Sequence, residues 1–94
     1  MPIKTTKWNL EEHFTTPESQ RALLDDALET GDAGHIANAI GIIARARGIT
    51  EVAEQAGVTR MALYKGLTKD GDPKLSTVLG VLEALGYKLT AKAA

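Results

Sequence analysis

Residues 49–68 constrain the fold more than any other part of the chain: Ile-Thr-Glu-Val-Ala-Glu-Gln-Ala-Gly-Val-Thr-Arg-Met-Ala-Leu-Tyr-Lys-Gly-Leu-Thr. They read as two short helices joined by a tight turn. Residues 51–56 form the first, with Thr50 as its N-cap, and residues 60–67 the second, with Thr59 as its N-cap. Gly57 sits where the first helix must stop and the backbone must turn, a position that usually requires φ > 0. Four residues earlier, Ala53 supplies the small side chain that two closely crossing helices need. Val52, Ala56, Val58 and Leu63 are the apolar positions that pack the pair together. Arg60, Met61, Tyr64 and Lys65 are left on the outer face of the second helix. A short helix with a cationic, hydrogen-bonding outer face fits the major groove of B-DNA. The plain alternative is an αα-corner whose only role is packing.

The chain has 94 residues, 44% hydrophobic and 24% charged, which is the profile of one small globular domain. It has no cysteine, so neither a disulfide framework nor a thiolate metal site is open to it. No apolar run reaches the ~18 residues of a membrane-spanning helix. The N-terminus lacks the apolar core of a signal peptide. The net charge is −1, but its distribution is uneven. Residues 1–59 hold five Lys/Arg against nine Asp/Glu, a balance of −4. Residues 60–94 hold six against three, a balance of +3. The basic excess begins at the second helix of the pair, so the domain is dipolar and can turn a positive face to phosphate.

Upstream, residues 3–8 alternate loosely and predict a short strand. Thr16-Pro17-Glu18 is a helix start, with Thr16 as cap and proline at the first helical position. Leu23, Leu24, Ala27 and Leu28 give that helix its apolar stripe, and Gly31 ends it. Asp32 caps a second helix running to about Ala46. In it Ile36, Ala39, Ile40, Ile43 and Ala44 recur at helical spacing. Arg45 and Arg47 near its end read as charges that complement the helix dipole rather than as contacts, and Gly48 stops it. After the helix pair comes a polar loop, residues 68–72. Pro73 then opens a last helix with Asp72 as cap, and Leu75, Val78, Leu79, Leu82 and Leu85 as its buried stripe. Gly86 terminates it, and residues 87–90 alternate like a short strand. The expected fold class is all-α, a five-helix bundle with room for short terminal strands. The division is an arm over residues 1–15 and a domain over residues 16–94.

The ordered string of motifs resembles a known family. It consists of Ala44-Arg45-Ala46-Arg47-Gly48, then Ala53-x-x-x-Gly57-Val58-Thr59-Arg60, then Leu63-Tyr64-Lys65 with Leu67. Gly71-Asp72-Pro73 and Leu82-x-Ala84-Leu85-Gly86 follow. Residues 33–90 are similar to the lambda-repressor-like (Xre-type) helix-turn-helix domain. With the acidic helix leading into Glu29-Thr30-Gly31-Asp32, the chain resembles the addiction-module antidote proteins, a group of prophage-associated antitoxins. Residues 2–14 match the pattern only loosely. The resemblance implies a lambda-repressor-like DNA-binding bundle. The implied role is a repressor of its own operon, binding a palindromic operator on double-stranded DNA as a homodimer. The implied partner is a small basic RelE/ParE-like toxin encoded by the adjacent gene. The implied setting is the bacterial cytoplasm at the nucleoid, with no membrane, no cofactor and no enzymatic activity.

On this reading Arg60, Met61, Tyr64 and Lys65 read bases. Arginine bridges guanine O6 and N7, and Met61 is placed to touch a thymine methyl. Thr50, Thr59, Thr68, Lys69 and Lys74 hold phosphates. Residues 11–32 carry seven acids against Arg21 alone, which is unsuited to DNA. Asp25, Asp26 and Glu29 are therefore the candidates for toxin binding. His13 and His35 stand apart from other ligand types and read as surface residues. Ser19 and Ser76 have no base beside them, which argues against nucleophilic catalysis. Two alternatives stay open: a stand-alone prophage regulator, and a protein-interaction module that does not bind DNA.

Overall fold

The computed structural model describes residues 10–93, and within them the chain is a bundle of five α-helices with no strand. Helix α1 spans Pro17–Thr30 and begins with a reciprocal cap: the Thr16 side chain accepts from the Ser19 N–H at 3.1 Å and Ser19 Oγ accepts from the Thr16 N–H at 3.3 Å. Helix α2, Ala33–Arg47, is capped by Asp32, whose Oδ2 accepts from the His35 N–H at 2.8 Å. These starts and the stops at Gly31 and Gly48 fall where the sequence puts them. Helix α3 spans Ile49–Ala56, α4 Arg60–Gly66 and α5 Leu75–Ala84, and a short 3-10 turn, Leu10–His13, precedes α1.

Helix α2 is the hub. It packs against α1, α3, α4, α5 and the 3-10 turn, and it is buried over most of its middle from Ala37 to Ala44. Among the described residues Ile40, Ile43, Leu63, Leu67 and Val81 are the largest wholly buried side chains, and they join the helices in one core. Such burial contributes about 1.5–3 kcal/mol for each large aliphatic side chain.

Two α2 glycines bring the next layer close. Gly34 and Gly41 lie seven residues, two turns, apart and so share a face. A Cβ at Gly41 would strike the backbone carbonyl of Leu67, and one at Gly34 the carbonyl of Lys69. The chain leaving α4 is therefore seated backbone-first in a groove that only hydrogen side chains leave open. The loop then doubles back: Gly71 lies against the Gly66 carbonyl, and Pro73 packs on Gly66.

Four sequence expectations need correction. Gly48 has φ +116°, and this turn feeds α2 directly into α3, so helix begins at Ile49. Thr50 lies inside the first turn and is not the N-cap. Helix α5 begins at Leu75 with Lys74 as the cap residue, not at Pro73 with Asp72, because residues 71–74 are occupied in the return across Gly66. The buried stripe of α5 is Val78, Val81, Leu82 and Leu85, whereas Leu75 and Leu79 are 65% and 44% exposed. Helix α5 approaches α3 closely at Gly80, where a Cβ would sit 3.3 Å from the Ala56 carbonyl, and that contact turns Leu75 and Leu79 outward. Residues 87–90 form no strand. The strand expected at residues 3–8, with Trp8, lies outside the described residues.

A further correction concerns Arg47, which the sequence reads as a dipole charge but which makes specific contacts. Its Nε donates to Gln20 Oε1 at 2.7 Å, one Nη donates to the Leu85 carbonyl at 3.0 Å, and the guanidinium lies 6.0 Å from the Tyr87 ring centre. Gln20 is only 3% exposed and donates in turn to the Phe14 carbonyl at 2.8 Å. One side chain thus clasps the start of α1 to the end of α5.

Two stability outcomes follow. Gly41→Ala gains about 1 kcal/mol of helix propensity but must displace a backbone carbonyl, which costs more. We expect a net loss of about 1–3 kcal/mol in urea unfolding, and an unchanged or raised stability would mean the loop does not seat on α2. Arg47→Met leaves the Gln20 and Leu85 oxygens without their donor, and we expect a loss of about 1–3 kcal/mol. Arg47→Lys should recover only part of it, since one ammonium does not reproduce the two-pronged geometry.

Candidate nucleic-acid interface

The α3–α4 turn is fixed by backbone chemistry. Gly57 adopts φ 75°, ψ 27°, the left-handed conformation that side chains with a Cβ resist. The Val58 N–H then reaches back to the Ala53 carbonyl at 3.0 Å, closing α3 in a Schellman-type cap. Thr59 Oγ1 accepts from the Ala62 N–H at 3.0 Å and starts α4 one residue later. Leu63 is buried, and with Leu67 just beyond the helix it anchors α4 to the core.

Anchoring through Leu63 sets which side chains stay outside. Arg60 and Lys65 are exposed, and Met61 and Tyr64 are 66% and 44% exposed. The four side chains predicted to read bases thus all reach solvent. Among the described residues neither Arg60 nor Lys65 has an ion-pair partner. Lys69 and Lys74 are likewise exposed and unpaired among the described residues. The loop folds back on Gly66 through Pro73, so Lys74 follows directly on a residue packed at the end of α4. Residues 60–74 hold four cations and two acids, Asp70 and Asp72, so this edge is positive on balance.

The threonines divide. Thr59 uses its hydroxyl as a cap. Thr68 is half-buried. Thr50 is exposed at the end of α3 away from the turn, and its hydroxyl makes no hydrogen bond among the described residues. Asp25, Asp26 and Glu29 are exposed on α1, which packs chiefly on α2 and stands apart from α4.

Sequence reasoning missed the two residues that set the pose of α4, Gly34 and Gly41. A signal for them existed. Glycine inside a helix costs about 1 kcal/mol relative to alanine, so two at a seven-residue spacing point to a close backbone approach. Arg47 and Gln20 offered no such signal, because their partners lie 27 and 38 residues away along the chain.

Comparison with known proteins shows one family. Its model, described as "Probable addiction module antidote protein", matches residues 4–93. An uncharacterized protein of Haemophilus influenzae is 37% identical over 81 residues, 86% of this chain and 84% of that protein. No solved structure matches the chain. The family model covers nearly the whole chain, which belongs to the family of addiction-module antidote proteins.

Proposed function

We propose that the chain is a DNA-binding antitoxin of Xre type that represses its own toxin–antitoxin operon. An antidote acts against a toxin, so a toxin partner follows from the family, and the role is regulatory rather than catalytic. The observation that carries the DNA half is the outer face of α4. It presents Arg60, Met61, Tyr64 and Lys65 to solvent on a helix whose pose is fixed from beneath by Leu63, Leu67 and the α2 glycines. In this reading α4 enters the major groove and those four side chains meet base edges. Lys69, Lys74, Thr50, Thr59 and Thr68 hold the flanking phosphates.

A single seven-residue helix reads few base pairs, so the protein works as a homodimer on a palindromic operator, with half-sites about one helical turn apart. The exposed Leu75 and Leu79, one turn apart on α5, offer apolar area to the second copy. The toxin is a small basic RelE/ParE-like protein encoded by the adjacent gene of a prophage module. The setting is the bacterial cytoplasm.

Binding to the DNA upstream of its own gene should weaken steeply with salt, as counterions displaced from phosphates are released. A filter-binding titration from low to moderate salt checks this, and salt-independent binding, or none, contradicts the reading. Arg60→Ala should cost about 1–3 kcal/mol at one base position and relax specificity there, while Lys69→Ala should weaken all sequences alike. Competition with single-base operator variants separates the two, and the opposite pattern would reverse the assignment of reader and clamp.

A further inference from the structure

The segment after α4 is pinned at both ends. Leu67 is buried, and its carbonyl occupies the place of a Cβ at Gly41. Gly71 lies against the Gly66 carbonyl, and the Gly71 N–H donates to the Thr68 carbonyl at 3.0 Å. That bond closes a turn over residues 68–71 with Lys69 and Asp70 at its tip. Both tip side chains are exposed, and neither has an ion-pair partner among the described residues. The tip rests on α2, where the Lys69 carbonyl lies in the place of a Cβ at Gly34.

The two α2 glycines are not equivalent. Gly41 is buried in the middle of the helix and faces Leu67, itself wholly buried, so a side chain there must unseat the core. Gly34 is half-buried in the first turn of α2 and faces the backbone of an exposed residue. Its φ is not in the left-handed region, so space alone excludes a side chain. The Lys69 carbonyl also brings its negative end to the positive N-terminal end of α2, which favours the seated turn. A Cβ at Gly34 is therefore accommodated by lifting the tip, with the core undisturbed.

The seating of the tip matters because its two charges are opposite. Lys69 attracts a phosphate, and its neighbour Asp70 repels one. Which of them meets the DNA backbone depends on how the turn lies on α2. We propose that Gly34 is a positioning residue for DNA binding: by seating the Lys69 carbonyl on α2 it holds the Lys69 ammonium toward phosphate. The readers of α4 are posed separately, by Leu63 and by Leu67 on Gly41. The inference rests on the DNA-binding part of the function above.

The test is a double-mutant cycle on the full chain, with operator affinity read by fluorescence anisotropy across a salt series. Gly34→Ala should raise Kd about tenfold at low salt and flatten the plot of log affinity against log salt by about one phosphate contact. It should leave the ranking of single-base operator variants unchanged. Lys69→Ala should do the same. The double variant should bind no more weakly than either single one, because Gly34 acts through Lys69. In the free Gly34→Ala protein the amide shifts of residues 68–71 should move and those of residues 60–65 should not. If the wild-type chain does not bind the operator, the DNA reading falls and this inference with it. If the wild type binds and the two losses add in the double variant, the reading stands and the positioning role is overturned. A changed base preference in Gly34→Ala, or wild-type affinity and salt dependence, overturns it too. A collapsed melting midpoint would give Gly34 the core role of Gly41 and overturn it likewise.

Discussion

The pose of α4 depends on a backbone-to-backbone contact. Gly34 and Gly41 leave a groove along α2 in which the carbonyls of Leu67 and Lys69 lie where any Cβ would be. Those residues follow α4 directly, so seating them fixes where the helix ends. Leu63, buried one turn earlier, fixes its rotation. Position and rotation together decide that Arg60, Met61, Tyr64 and Lys65 face outward. The glycine cost in helix propensity is offset by the close packing it permits and by the burial of Leu67.

At the other end of α2, Arg47 closes the bundle. Its guanidinium binds Gln20 of α1 and the carbonyl of Leu85 at the end of α5. The start of the acidic helix and the end of α5 are held near one another by this clasp. The chain thereby separates two faces along one central helix. The cationic edge belongs to α4 and its following loop, and the acidic one to α1. An antidote must meet a toxin and, in our reading, DNA. Charge separation lets one small domain meet two partners of different chemistry without competition for surface.

Much of this was legible in the sequence, and for local reasons. Thr16, Asp32 and Thr59 cap the helices they were expected to cap, and Gly31, Gly48 and Gly57 stop the ones they were expected to stop. Caps and turns are decided by a few neighbouring residues, which a sequence displays. The expected outer face of α4 is exposed for the same reason, since burying Leu63 dictates the rest of a short helix. The misreadings have non-local causes. Pro73 carries a strong helix-start signal, yet it is used in packing on Gly66. Leu75 and Leu79 match the helical period, yet the approach of Gly80 to Ala56 selects a different face. Arg47 finds partners in distant parts of the chain, which no local pattern encodes.

The central claim is that α4 carries the DNA contact and α1 does not. Amide chemical-shift mapping of the full chain against its upstream operator duplex tests this residue by residue. We expect the large perturbations at residues 59–65 and 68–69, with residues 18–30 essentially unmoved. Perturbations concentrated on α1, or an absence of change along α4 at saturating DNA, would contradict it.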